Sequence, residues 1–264
     1  MFANCHTNAT EQEPKKVQLP QKPVKRAVPK PYVWQPPVYD TSKQYIYITF
    51  DDGPQPGTMA CLQVCLQQKV KASFFMVARH QQLKSDGKQI VQAIKKQHPN
   101  MLLCNHSYSH AYGKYRYFYK HPYMALSDFL VAQKQLGIPY KIIRLPGNSA
   151  WVRKDTLRAT KLVRPICSLL DSTGYNVIGW DAEWRFSHTS ANPIETPQVL
   201  ADQIERFFTQ NKTHLPKHLV LLTHDRMFRL PNYTDSLTKL ITILKSNPKN
   251  VFETVDNYPR LKMP

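Results

Sequence analysis

Apolar and polar positions alternate along this chain with two different periods. Tyr45-Ile46-Tyr47-Ile48-Thr49-Phe50 is an unbroken β-branched and aromatic run, which predicts a strand. Met59, Leu62, Cys65, Leu66 and Val70 then recur at helical spacing. The short apolar run Ala72–Val77 predicts a second strand. Gln89–Lys96 carries Ile90, Val91 and Ile94 on one helical face and is stopped by Pro99-Asn100. Met101–Cys104 predicts a third strand, and Ala125–Leu136 a helix with Gly137 at its C-terminal cap. Beyond it the pattern predicts a strand at 141–143 and a helix over 153–172 interrupted near Pro165. A strand at 175–179, a helix over 196–210 and a strand at 218–223 come next. A helix over 235–245 and a last strand at Val251-Phe252 complete the series. About seven strand–helix units in one chain predict an α/β fold with a parallel sheet closed as a distorted (β/α) barrel.

Residues 1–40 break this pattern. They hold seven of the chain's 21 prolines, and proline fixes φ and removes donors. An extended, semi-rigid linker or tether is expected there, with Val33-Trp34 and Val38-Tyr39 packing on the body, and a single domain over 41–264. Met1-Phe2-Ala3 opens no apolar run of the kind a signal peptide carries. No stretch of eighteen apolar residues exists anywhere, so no transmembrane helix is expected.

Composition adds less than the patterning. Hydrophobic residues make up 42 % of the 264, enough for a packed core, which excludes a wholly disordered chain. The net charge is +18, of which six cations against three acidic residues put only +3 on the first forty positions. The remaining +15 points to an anionic partner without choosing among nucleic acid, membrane and acidic polymer. Five cysteines at 5, 61, 65, 104 and 167 lack metal-ribbon spacing. Cys61 and Cys65 lie four apart in a helical stretch, which suits a disulfide poorly. Small buried hydrophobes are the expected role for most of them.

Three places carry chemistry. Asp51-Asp52-Gly53-Pro54 closes the first strand and puts adjacent carboxylates at its C-terminal end, where α/β barrels place active sites. Two carboxylates so close repel unless a cation binds, and a metal on one leaves the other free as a base. His106-Ser107-Tyr108-Ser109-His110 follows the third strand. Imidazoles four apart share a face if the segment turns helically, and one Asp plus two His with open positions is a catalytic metal set. His224 ends a third apolar strand on the same rim, a place for a general acid. The bland alternatives are an acidic turn, surface histidines and a structural His.

Together these residues resemble the polysaccharide deacetylases with a NodB homology domain, carbohydrate esterase family 4, over about residues 44–256. Thr49–Pro54 is similar to the family's first motif letter for letter, His106–His110 to its His-Ser/Thr-x-x-His, Arg144-Leu145-Pro146-Gly147 to its Arg-x-Pro, Trp180–Trp184 to its Asp…Trp motif, and Leu222-Thr223-His224 to its Leu-x-His. The resemblance implies a NodB-like barrel and a divalent metal, zinc, held by Asp52, His106 and His110. It implies Asp51 as catalytic base, Arg144 holding Asp51, Ser107 bracing the metal loop, His224 as acid and Asp181 tuning His224. Leu222 and Trp184 would wall the acetyl pocket, with simple core packing the alternative for Trp184. A backbone N–H just after Pro146 would serve the oxyanion, from either Gly147 or Asn148. Two departures stand out: Gly147-Asn148 follows Pro146 directly, and the fourth motif is one residue short.

The function implied is a metal-dependent hydrolase that releases acetate from an N-acetylated glycan such as peptidoglycan, poly-N-acetylglucosamine or chitin. The alternatives are an O-acetyl esterase of the xylan type and a catalytically impaired glycan-binding protein. The implied partner is an acetylated glycan polymer at an anionic wall or surface, with extracytoplasmic localisation and no nucleic acid. The aromatic and cationic stretch 111–123 would rim the groove, or half-bury its tyrosines.

Overall fold

The computed structural model describes residues 37–262, so the expected linker lies almost wholly outside the described residues, with Cys5 and Val33-Trp34. At the edge of that stretch Tyr39 packs edge-on against Tyr45 at 5.0 Å, while Val38 is 98 % exposed.

The chain runs β1 (Gln44–Asp51), α1 (Thr58–Gln67), β2 (Ala72–Met76), α2 (His80–Leu83), α3 (Gly87–Lys95), β3 (Met101–Asn105), α4 (Tyr115–Lys120), α5 (Pro122–Leu136) and β4 (Ile142–Ile143). It continues through β5 (Trp151–Arg153), β6 (Thr156–Arg158), α6 (Arg164–Ser172), β7 (Asn176–Val177), β8 (Ala182–Glu183), α7 (Pro197–Thr209), β9 (His218–His224), α8 (Pro231–Ser246) and β10 (Asn250–Phe252). The strands form one sheet in the order β6-β5-β7-β4-β3-β2-β1-β9-β8, with β10 also on β1. All pairings are parallel except those of β5 with β6 and β7. Among the described residues no pairing joins the β6 and β8 ends, so the barrel is distorted and open along one seam.

Side-chain parity decides what faces the interior. Along a strand, alternate residues face opposite sides. Tyr45 and Tyr47 pack with Phe75, Leu102, Cys104, Ile142, Ile178 and Val220 inside the curl. Ile46, Ile48 and Phe50 pack outward with Leu62, Leu200, Leu237 and Ile241 of α1, α7 and α8. Asp51 continues the inward parity of β1, His106 that of Leu102 and Cys104, Arg144 that of Ile142, and His224 that of Val220. The same alternation that builds the core therefore brings four polar residues to one end of its interior.

Two expectations change. The helix read over 153–172 is a hairpin followed by α6: β5 and β6 pair antiparallel around Lys154-Asp155, and the helix begins only at Arg164. The stretch 111–123 divides: Phe118 and Tyr119 are core, whereas Tyr112, Tyr117 and Tyr123 are 59–75 % exposed. Cys61, Cys65, Cys104 and Cys167 are buried free thiols, and burial pushes Cys65 and Cys167 up to about 12. Gly137 adopts the left-handed φ of 57° that lets α5 end. No helix among the described residues is long and apolar enough to cross a membrane.

Candidate active site and metal centre

Asp51 is 2 % exposed and its Oδ1 accepts from Arg144 Nη1 at 2.8 Å. Arg144 is fully buried and spends its other donors on Thr49 Oγ1 at 2.5 Å and on the carbonyls of Ile178 and Gly179 at 3.1 and 2.9 Å. The buried Arg144 guanidinium thus fixes Asp51 in place through a charge-assisted hydrogen bond. Thr49 completes the clamp by donating to Leu221 O at 2.8 Å.

Asp52 has the wrong parity to face the interior. Its φ of 78°, unusual for a residue with a Cβ, ends the strand and turns the second carboxylate toward the histidines. His80 Nδ1 lies 2.7 Å from the Asp52 carbonyl and holds that turn. The histidine loop is braced equally. His110 N–H donates to Ser107 Oγ at 2.9 Å, Ser107 N–H to Asn105 Oδ1 at 2.8 Å, and Tyr108 and Ser109 N–H to Asp128 Oδ1. Ser107 and His110 also have positive φ.

The donor atoms of Asp52, His106 and His110 lie within 4.8 Å of one another. His106 Nδ1 is 3.0 Å from the Arg144 carbonyl, which only accepts, so Nδ1 carries the hydrogen. In the neutral ring, Nε2 then presents a lone pair to Asp52 Oδ1 at 3.4 Å. Asp52 Oδ1 is buried and outside the hydrogen-bond network, with His110 Nε2 also 3.0 Å away. Two imidazole nitrogens and a carboxylate converging on one point need a proton or a metal cation among them, so these residues fit a divalent ion. Burial works to raise the Asp52 carboxyl, but the imidazoles hold it well below the usual range. Burial likewise works to lower His110, but Asp52 raises it.

His224 sits beside Asp51 in the β1–β9 register, on the same rim. Its ring packs edge-on against Phe186 at 4.8 Å, and its buried Nδ1 has no partner. The expectation that Asp181 tunes His224 is corrected. Asp181 lies beside Val220, four positions down the sheet, at about 3.3 Å per residue. There its carboxylate accepts from the backbone N–H of His214 and Val220. Burial pushes it up to about 6. The expectation that Trp184 walls an open pocket is corrected as well: the indole has no exposed surface, packs 5.4 Å from Phe228 and donates to Glu195 O. Leu222 is buried between β1 and β8.

After Arg144, Leu145–Asn148 forms a turn in which Gly147 takes φ 62° and Asn148 N–H closes onto Leu145 O at 3.4 Å. No acceptor within the described residues engages the Gly147 N–H. Tyr119 hydroxyl donates to Pro146 O at 2.6 Å, and Tyr115 packs on the open face of Gly147 with its hydroxyl 3.4 Å from His110 Nδ1.

Sequence reasoning assigned no role to Thr49, His80, Asn105, Asp128, Phe186 or Asp225. Asp225 follows His224 and is fully buried, bonded to Thr58 Oγ1 and accepting from Gln55 Nε2 at 2.5 Å. Burial pushes its carboxyl up to about 8. The folded protein then keeps a proton that the unfolded chain releases above about pH 4, so this group's contribution to stability falls from about pH 4 to about pH 8. Asp225→Asn, which fixes a neutral side chain, is expected to flatten that slope. Melting curves across the interval check it; an equally steep fall in the variant contradicts the assignment.

Comparison with known proteins follows this geometry. The polysaccharide deacetylase family model matches residues 38–160. A putative polysaccharide deacetylase of Bacillus subtilis, YheN, is 26 % identical over 207 residues, 76 % of this chain and 63 % of that protein, so the match spans less than two thirds of the relative. The catalytic domain of a peptidoglycan N-acetylglucosamine deacetylase from Eubacterium rectale superposes with TM-score 0.60 at 21 % identity, covering 84 % of this chain and 94 % of the other. The peptidoglycan deacetylase PdaC of Bacillus subtilis superposes with TM-score 0.56 at 19 % identity, covering 83 % and 91 %.

Proposed function

We propose that the chain is a member of the polysaccharide deacetylase family it resembles, and that it is a zinc-dependent hydrolase that removes acetyl groups from an N-acetylated glycan and releases acetate. One observation carries this reading: an Asp–His–His donor set, a clamped carboxylate and a third histidine lie together at one end of the barrel. Asp52, His106 and His110 would hold the ion. A divalent cation there supplies Lewis-acid polarisation of the acetamide carbonyl and acidifies water.

The protein's own groups supply the rest. Arg144 occupies Asp51 Oδ1, which leaves Oδ2, 3.7 Å from His106 Nε2, to accept the proton of the attacking water. The developing oxyanion is met by a backbone N–H of the Leu145–Asn148 turn; Gly147 is the assigned donor, because Asn148 N–H is already used in closing the turn. His224 donates a proton to the departing amine from the same rim. Ser107 and Asn105 keep the histidine loop in place, so its geometry needs no rearrangement when substrate arrives.

Peptidoglycan is the assigned polymer, at an extracytoplasmic surface. The names of the similar structures support this, and so does a charge of +18 suited to an anionic wall. Acetate release from peptidoglycan, poly-N-acetylglucosamine, chitin oligomers and acetylated xylan tests the reading. Turnover on an N-acetylated polymer is expected, lost with chelator and restored by zinc. No release from any polymer, or release indifferent to chelator, sinks it.

A further inference from the structure

A cavity of about 450 Å³ opens in the seam where the two ends of the sheet fail to pair. It is lined by the β5–β6 hairpin, by Trp180-Asp181 and by Lys212–His214, the segment that enters β9. None of Asp51, Asp52, His106, His110 or His224 lines it. The segment Lys212–His214 lies before the first residue of β9, whereas His224 is the last. Trp180 forms the partition: its ring lines the cavity and lies 5.9 Å from the Arg144 guanidinium that clamps Asp51.

The chemistry of the walls is uneven. Arg158 and Lys212 are exposed, and the side chain of neither forms a hydrogen bond or ion pair among the described residues. Asp181 is the one acidic residue of the lining, and both its oxygens are already taken by backbone N–H groups. His214 stacks flat on Trp151 at 4.2 Å and 3°. Its Nε2 lies 3.0 Å from Arg153 Nη2, which can only donate, so Nε2 accepts and the neutral ring carries its hydrogen on Nδ1. Burial, with Arg153 and Arg158 nearby, keeps the ring neutral by lowering it to about 4. That Nδ1–H is buried without an acceptor. Two unpaired cations thus flank a space of ligand-pocket size, with the indole of Trp180 beside them. Guanidinium and ammonium groups recognise carboxylate, and the C–H face of a pyranose packs on an indole.

We propose that this cavity is a second saccharide subsite, separate from the hydrolytic centre, that takes one carboxylate-bearing sugar unit. The ligand assignment rests on the seam and is read by binding alone, whereas calling the subsite second rests on the hydrolase reading. Calorimetric titration of the metal-loaded protein with glucuronic acid, glucose and acetate tests it. Saturable binding of glucuronic acid is expected, at least tenfold tighter than glucose or acetate. Arg158→Ala with Lys212→Ala is expected to weaken it tenfold or more while acetate release from glycan is unchanged. His110→Ala is expected to leave it intact. Equal binding of glucose, equal binding of acetate, insensitivity to the two cation changes, or loss in His110→Ala would each overturn the proposal. Because Arg158 and Lys212 are both exposed, their removal does not threaten the fold, and unchanged turnover of the double variant verifies that.

Discussion

Asp51→Asn is expected to lower kcat by about 10²–10⁴-fold while metal content stays at the wild-type level. The amide keeps the shape of the carboxylate but cannot take a proton from water. The three residues that would hold the ion are untouched, since Asp51 Oδ1 is committed to Arg144 and its Oδ2 is 3.7 Å from His106. KM should move little, because the lost interaction belongs to proton transfer and not to substrate binding. Steady-state kinetics with metal analysis on the same preparation decide the matter. Full activity with metal bound would remove Asp51 from the mechanism.

Arg144→Ala is expected to be the most destabilising single change at the site, by about 3–5 kcal/mol. The loss does not come from a surface ion pair, which would count for little. It comes from stranding a 2 %-exposed carboxylate and leaving Thr49 and the Ile178 and Gly179 carbonyls without their donor. For a chain of this size that is a fall in Tm of about 6–20 °C. Adding Asp51→Asn should recover part of it, because the stranded charge is gone. A single variant that melts with the wild type, or a pair whose effects simply add, would show that the clamp does not act as a unit.

Much of this was readable from one sequence because the informative residues terminate apolar strands. Asp51, His106 and His224 each follow an apolar run, and the inward parity of that run carries each of them into the interior. What could not be read depends on partners distant in the chain. Asp181 has a family motif's letters around it, yet its function here is set by β8 pairing beside Val220, 39 positions away. Thr49 lies in the most recognisable motif, and its role needs Arg144, 95 positions on. The helix expected over 153–172 begins only at Arg164, because the three-residue strands of the preceding hairpin are too short to show a period of two. Trp184 illustrates a different limit: an aromatic next to a motif reads as a pocket wall until burial shows that it is filling the core.

The short piece of chain that begins at His110 has a consequence for engineering. Tyr115 leans on His110 and covers Gly147, while Tyr119 fastens Pro146, so ten residues touch both halves of the reaction apparatus. His110 through Tyr119 therefore behaves as one transplantable cassette with the Leu145–Asn148 turn as its socket. A chimera that exchanges the cassette for a relative's and leaves the socket behind mismatches the two. Exchanging them together preserves the fit, and with it the spacing between the proposed ion ligands and the proposed oxyanion donor.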